Sequence, residues 1–347
     1  MDGIIKPVDR TFSVCGPEWH NKAEHVSVID ETVLAPIFFS VEERPLLSEV
    51  DGITYTIPNY KTLWADYRHR DDFGDHPKMV NLHVSKESYK PILNRDIWEM
   101  ALKAVAGLDC VVSSVGTLGA GKYFYITIQI KGDEEFSVKG DKFSGYFNII
   151  TSHNGTMALE AYDSLIRIVC MNTLRWSRSA KGEIDFKVYH TSNSAIAITN
   201  MGDILNQVLS GRKEFVNQME YLMTVPCSFS QAMNLVAGWV GAGKRDFKLS
   251  NQAKNRVDDI ALLFRQGKGN SGKTLYDLLN GATEYWTSGN GTGKKATVVD
   301  KWTRSEFGKA SDDKRDFVNY LMGAESFLQD RAKYGEELIR EWHLSQK

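Results

Sequence analysis

Hydrophobic and polar residues alternate most cleanly between Tyr123 and Ile130. Phe124, Ile126, Ile128 and Ile130 fall on one side, and Tyr123, Tyr125, Thr127 and Gln129 on the other. Successive side chains of a strand point to opposite faces, so this segment predicts a half-buried β-strand. The same period appears in Val80, Leu82 and Val84, and in Gly52–Ile57. Cys110–Val115 and Phe143–Thr151 read as further strands, with Gly116–Lys122 as a glycine-containing turn. Val26–Ser40, rich in β-branched and aromatic residues, is expected to form short strands and loops. Elsewhere the period lengthens. Ile97, Trp98, Ala101, Leu102, Val105 and Leu108 make one helical stripe, with Asn94 expected as its N-cap and Asp96 in its first turn. Leu165–Ser179 is expected to be a second helix.

From Asp203 onward the pattern is helical. Ile204, Val208, Phe215, Met219 and Leu222 fit one amphipathic helix, ended by Val225-Pro226. Ser230–Val240, Asn255–Arg265, Lys273–Trp286 and Arg315–His343 continue it, separated by glycine-rich breaks such as Gly289–Lys295. The expected fold class is α+β: an antiparallel sheet with helices packed on one face, followed by a mainly helical C-terminal half. The expected division is an N-terminal strand and loop region (1–78), an α+β core (79–200) and a helical region (201–347). No internal repeat interrupts this order.

Composition narrows the function classes. The chain has 347 residues, 42% hydrophobic and 25% charged, with a formal net charge of −2, as expected of a globular protein. That charge argues against a strongly basic protein that coats nucleic acid, but leaves room for a local basic patch. The four cysteines, Cys15, Cys110, Cys170 and Cys227, are far apart, so no Cys-x-x-Cys zinc pair exists and a disulfide framework is not indicated. A reduced, cytoplasmic compartment is expected. The N-terminus lacks an apolar signal core, and no stretch approaches the roughly 18 apolar residues of a membrane span.

Four groups of residues carry candidate chemistry. Gly267-Lys-Gly-Asn-Ser-Gly-Lys-Thr274 satisfies G-x-x-x-x-G-K-[ST], the loop whose amides cradle phosphates. A phosphate loop follows a buried strand, whereas Asp258–Gln266 reads as a helix, so a chance match is favoured. His69, Asp71, Asp72, Asp75 and His76 are metal-competent, but a solvated loop of this composition is commoner, and no metal is assigned. Ser152–Thr156, Arg167–Leu174 and Tyr189–Thr191 bring together the residue types of a Cys-His-Asn hydrolase, with His153, Asn172 and His190 as polar candidates. On the expected helix Cys170 falls on the apolar face and reads as a structural thiol. Arg167, Arg175 and Arg178, with Lys181 beyond and Trp176 beside them, would form a basic stripe on that helix suited to phosphates along a strand of nucleic acid. Tyr123 and Tyr125 would then offer stacking platforms for unpaired bases.

A set of runs resembles the phage/plasmid-like protein family, a domain of unknown function found in phages, prophages and plasmids. These are Val84–Asn94, Ser152–Thr156, Arg167–Leu174, His190-Thr191 and Gly272–Tyr285. The family usually has His-Asp-Gly where this chain has His153-Asn154-Gly155, so any role of that aspartate is open here. The resemblance treats the glycine turn as the start of the helix carrying Asn280–Tyr285, and implies replication, recombination or counter-defence on a mobile element.

The leading expectation is a single-stranded nucleic-acid-binding protein acting in annealing or recombination, with DNA as the expected strand and a homo-oligomer as the expected state. Tyr123, Tyr125 and Trp176 would stack, and Arg167, Arg175, Arg178 and Lys181 would hold phosphates. The rivals are a hydrolase or nuclease using His153, Asn172 and His190, and a counter-defence factor binding a host protein. The sequence names no cofactor.

Overall fold

The computed structural model describes residues 10–14, 24–68, 78–130, 136–167, 172–176, 186–191, 215–287, 305, 309–323 and 325–346. In chain order the strands are β1 (Thr11–Ser13), β2 (Glu24–His25), β3 (Ser40–Val50), β4 (Ile53–Asp66), β5 (Met79–Lys86), β6 (Cys110–Leu118), β7 (Tyr123–Ile130), β8 (Phe136–Val138), β9 (Asp141–Ser152), β10 (Leu159–Arg167), β11 (Asn172–Trp176) and β12 (Phe186–Val188). The helices are α1 (Glu31–Leu34), α2 (Asn94–Ala104), α3 (215–224), α4 (Phe229–Gly241), α5 (Asn251–Gln266), α6 (Leu275–Thr287), α7 (Lys309–Leu321) and α8 (Glu325–Ser345). This is the α+β order the periodicity predicts, with the sheets early and the helices late.

The chain divides into two compact units, one of residues 1–134, 146–163 and 184–210, the other of 135–145, 164–183 and 211–347. In the first unit β7 is central. It pairs antiparallel with β6 on one side and with β9 on the other, and the strand order runs on through β10 and, at the far side, β1 and β2. Phe124, Ile126 and Ile128 lie on the face covered by Ile97, Trp98 and Ala101 of α2, all buried. The alternation in β7 and the 3.6-residue stripe in α2 therefore describe two sides of one core. At roughly 1.5–3 kcal/mol per buried large apolar side chain, this contact holds α2 on the sheet. A second sheet, β3-β4-β5, has its own small core of Phe39, Leu63, Ala65, Tyr67 and Leu82.

The second unit is a helical bundle. Ser228 opens α4 with a capping box to Gln231, satisfying two amides that the first turn leaves orphaned. Trp239 of α4 meets Trp286 of α6 at 5.3 Å and Phe317 of α7 at 5.5 Å between ring centroids. Gly335 of α8 lies so close to the Asn234 carbonyl of α4 that a Cβ has no room.

Four expectations are corrected. Asn94 is the first residue inside α2, and Leu93 occupies the cap position. Its side chain turns inward, for a reason given below. Val26–Ser40 holds α1 and a 3-10 turn at Ala35–Ile37, with Asp30 Oδ1 accepting from the Val33 amide; the strand there starts only at Ser40. Leu165–Ser179 is not one helix: β10 runs to Arg167, and β11 occupies Asn172–Trp176. A short apolar run rich in β-branched residues has no period that separates a strand from a helix, and sheet pairing decides it. Arg315–His343 is two helices, broken at Met322 and Gly323, where Gly323 takes a φ of 139° that favours glycine.

Candidate functional site

His153 and His190, two of the histidines that the sequence singles out, both lie in the first unit. His153 follows directly on β9, where its amide donates to the Lys122 carbonyl at 2.7 Å. Its ring is fully buried, with the edge of Phe39 against it at 5.5 Å. Nε2 sits 2.7 Å from Asn94 Oδ1, while Asn94 Nδ2 donates to the Ile37 carbonyl at 2.8 Å. The amide orientation thus assigns the proton to His153 Nε2, since Oδ1 can only accept. This is why Asn94 faces inward rather than capping its helix. His153 Nδ1 then carries a lone pair, buried and without a hydrogen-bond partner.

His190 completes the cluster. Its Nε2 lies 3.0 Å from Thr151 Oγ1, and Tyr89 stacks on its ring at 4.9 Å with 12° between planes. The Tyr89 hydroxyl donates to the Ser152 carbonyl at 3.0 Å, and the Lys90 amide donates to the His190 carbonyl at 3.0 Å. Burial, and then the neighbouring His190, lowers the His153 pKa to about 3. Burial lowers that of His190 to about 4, against an opposing hydrogen bond involving Lys90. Both rings are neutral at neutral pH. His83 of β5 stands at the edge, its pKa also lowered by burial and by Lys122. Gly155 has φ of +69°, and a Cβ there would come within 3.0 Å of His83 Nε2. Glycine is needed at that position both for the turn and for the imidazole beside it.

The polar side chains of Ser152–Thr156 are engaged with one another. The Thr156 amide and hydroxyl donate to Asn154 Oδ1 at 3.2 and 2.6 Å, and Ser152 Oγ accepts from the Met157 amide at 2.9 Å. Asn154 Nδ2 reaches the Tyr123 hydroxyl at 3.4 Å. Asn154 therefore closes a turn and ties it to β7. Tyr123 is half-buried. Tyr125 is 2% exposed, its hydroxyl donating to Thr11 Oγ1 at 3.3 Å, so its ring offers no open face.

The basic stripe loses its helix. Arg167 closes β10, Arg175 and Trp176 lie on β11, and Asn172 begins β11. Cys170, Arg178 and Lys181 lie outside the described residues, as does the His69–His76 cluster except for its flanking Arg68. Among the described residues no group of three metal-competent side chains comes together, and no helix is long and apolar enough to cross a membrane.

One exposed group has a role that the sequence does not assign to it: there Tyr189 appears only as part of the run with His190, and Lys187 and Lys90 are not among the site residues. Along β12 and beyond, Val188 and His190 are buried while Lys187 and Tyr189 face out. Tyr189 is 66% exposed, with Lys187 Nζ 5.3 Å from its ring centroid. The Lys187 ammonium also lies 3.4 Å from Glu160. Lys90, exposed, is tied to the same place through its bond to the His190 backbone. The alternation of Lys187, Val188, Tyr189 and His190 carried this signal.

The glycine loop of the second unit is not arranged for a nucleotide. Helix α5 precedes it, as the sequence predicts, and its amides already hold an anion. Asp277 of α6 accepts from the Ser271, Lys273 and Thr274 amides at 2.9, 2.9 and 3.1 Å, and from the Ser271 and Thr274 hydroxyls at 2.8 and 3.1 Å. Burial raises the Asp277 pKa, but these hydrogen bonds outweigh it and hold the carboxyl below its usual range.

A family model described as "Domain of unknown function (DUF932)" matches residues 81–313. No curated protein and no solved structure matches the chain.

Proposed function

The chain belongs to the DUF932 family, and from that premise we propose that it binds a single nucleic-acid strand, DNA in the first instance, in annealing or recombination on a phage or plasmid. The observation that carries this reading is Tyr189, an exposed aromatic ring with Lys187 beside it and Lys90 at the same edge. A base stacks on a ring of this kind without regard to sequence, and neighbouring ammonium groups meet the phosphates. The stack of the buried His190 ring on the half-buried Tyr89 gives the platform a rigid base. Arg167, Arg175, Arg178 and Lys181 are further phosphate candidates, and Tyr123 and Trp176 further stacking candidates.

A fluorescence-anisotropy titration with short single strands tests the reading. Salt-sensitive binding is expected, and Tyr189→Ala should weaken it about tenfold, since base–aromatic stacking contributes roughly 1–3 kcal/mol per base. Absence of binding at low ionic strength, or equal binding by Tyr189→Ala, would defeat it.

A hydrolytic reading rests on a different observation, the unpartnered Nδ1 atoms of His153 and His190. His153, with its proton on Nε2, is a neutral imidazole whose open Nδ1 lone pair is a base in search of a proton donor, whereas the Thr151 hydroxyl can donate to or accept from His190 Nε2, so His190 Nδ1 carries a lone pair in one tautomer and a proton in the other. The complete burial of His153 counts against it. Cleavage of a labelled strand that disappears in both His153→Gln and His190→Gln, with the fold retained, would establish it over the binding reading.

A further inference from the structure

The hairpin of β3 and β4 reaches beyond its sheet. β5 pairs with β4 only from Tyr60 to Asp66, whereas β3, after an irregularity that leaves Ile57–Tyr60 without a β3 partner, resumes pairing from Leu47 opposite Thr56 to Val50 opposite Ile53. The stretch Ile53–Asn59 therefore has no strand on its outer side among the described residues. Its side chains are open: Ile53 is 57% and Tyr55 50% exposed. An exposed edge with β-branched and aromatic residues is a ready template for another strand, and proteins usually protect such edges with charge. Here there is no charged residue from Ile53 to Asn59, while the β3 edge carries Glu42, Glu43 and Glu49.

The segment also has an unusual symmetry. Ile53-Thr54-Tyr55-Thr56-Ile57 reads the same in both directions. In antiparallel pairing about a two-fold axis, residue i of one chain faces residue j of the other and the reverse. With the axis at Tyr55, Tyr55 meets its own copy, Thr54 faces Thr56, and Ile53 faces Ile57. Aromatic, Thr–Thr and β-branched pairs are the cross-strand contacts that stabilise a sheet. Self-pairing brings no like charges together, which the glutamates of β3 would do on the other edge. Pro58, lacking an N–H, and Asn59, with φ of 65°, end the regular strand. They limit the pairing to five residues and so favour a closed pair over an open sheet.

We propose that the palindromic edge Ile53–Ile57 is a dimerisation site, occupied by the same edge of a second copy of this chain. It deepens the nucleic-acid reading by giving the oligomer a contact, but it is tested with nucleic acid absent, so the two can fail separately. Sedimentation velocity of the full chain across a micromolar concentration series should show a reversible dimer. Thr54→Lys with Thr56→Lys sets lysine against lysine across the axis and should weaken dimerisation at least tenfold. Thr54→Lys with Thr56→Glu alters the same two positions but sets opposite charges together, and should dimerise at least tenfold more tightly than the double-lysine variant. Circular dichroism and thermal melting of both variants report that the hairpin remains folded. A monomeric wild type throughout the series, a double-lysine variant that dimerises as well as wild type, or equal weakening by the two double variants would overturn the proposal. A partner strand from a different protein would give the monomeric outcome.

Discussion

Asn94 shows how one side chain can be read correctly as polar and placed wrongly. Asn before an apolar stripe is a standard cap signal, yet here it lies 1% exposed and joins His153 to the Ile37 carbonyl. A sequence cannot distinguish the two uses, because the partner that decides between them is 59 residues away. Asn94→Ala strips two buried groups of their partner at once. It should cost about 2–6 kcal/mol of unfolding free energy, at the usual 1–3 kcal/mol for each orphaned group, measured by denaturant titration. The histidines give the same neighbourhood a pH response. Both native pKa values are depressed, to about 3 for His153 and about 4 for His190, below the ordinary 6.5. In that range the unfolded chain binds more protons than the native one. Their contribution to stability is therefore complete above about pH 6.5, falls as the pH drops through 6 and 5, and is exhausted near pH 3. Urea midpoints across this range should decline less steeply in His153→Gln than in wild type; equal slopes would show that His153 does not contribute.

At the scale of elements, regular patterns proved legible and ambiguous ones did not. The alternation at Tyr123–Ile130 and the stripe on α2 each identify a face of the same core. The segment from Leu165 to Ser179 presents apolar residues at spacings that satisfy either period, and its β10 and β11 portions pair as strands. The arginine stripe derived from the helix is lost with it. The glycine loop is the reverse case: its letters match a phosphate loop, but the helix before it predicts otherwise, and Asp277 occupies its donors. Magnesium and ATP should accordingly leave the melting temperature unchanged. Asp277→Ala, which leaves three amides and two hydroxyls without their shared acceptor, should lower stability by about 3 kcal/mol.

At the scale of the whole molecule, the family match and the α+β class are shown, while the proposed function rests on a small exposed edge. The sequence places Tyr189 beside His190 and in an alternating run, but its exposure becomes known only when Val188 and His190 are seen to be buried. Log–log salt dependence of strand binding offers a check on how many charges participate: Lys187→Gln should reduce the slope by about 0.7, the value for a single lost phosphate contact on a single strand. The division into units has a consequence for biosynthesis. The first unit needs β12 and His190, which β10 and Thr151 await, yet residues 135–145 and 164–183, assigned to the other unit, leave the ribosome before them. Those segments in turn wait for helices whose described residues start at 215. Neither half can finish folding behind the other on the growing chain, so a nascent chain halted near residue 180 should be a client for chaperones and a target for proteases rather than a folded intermediate.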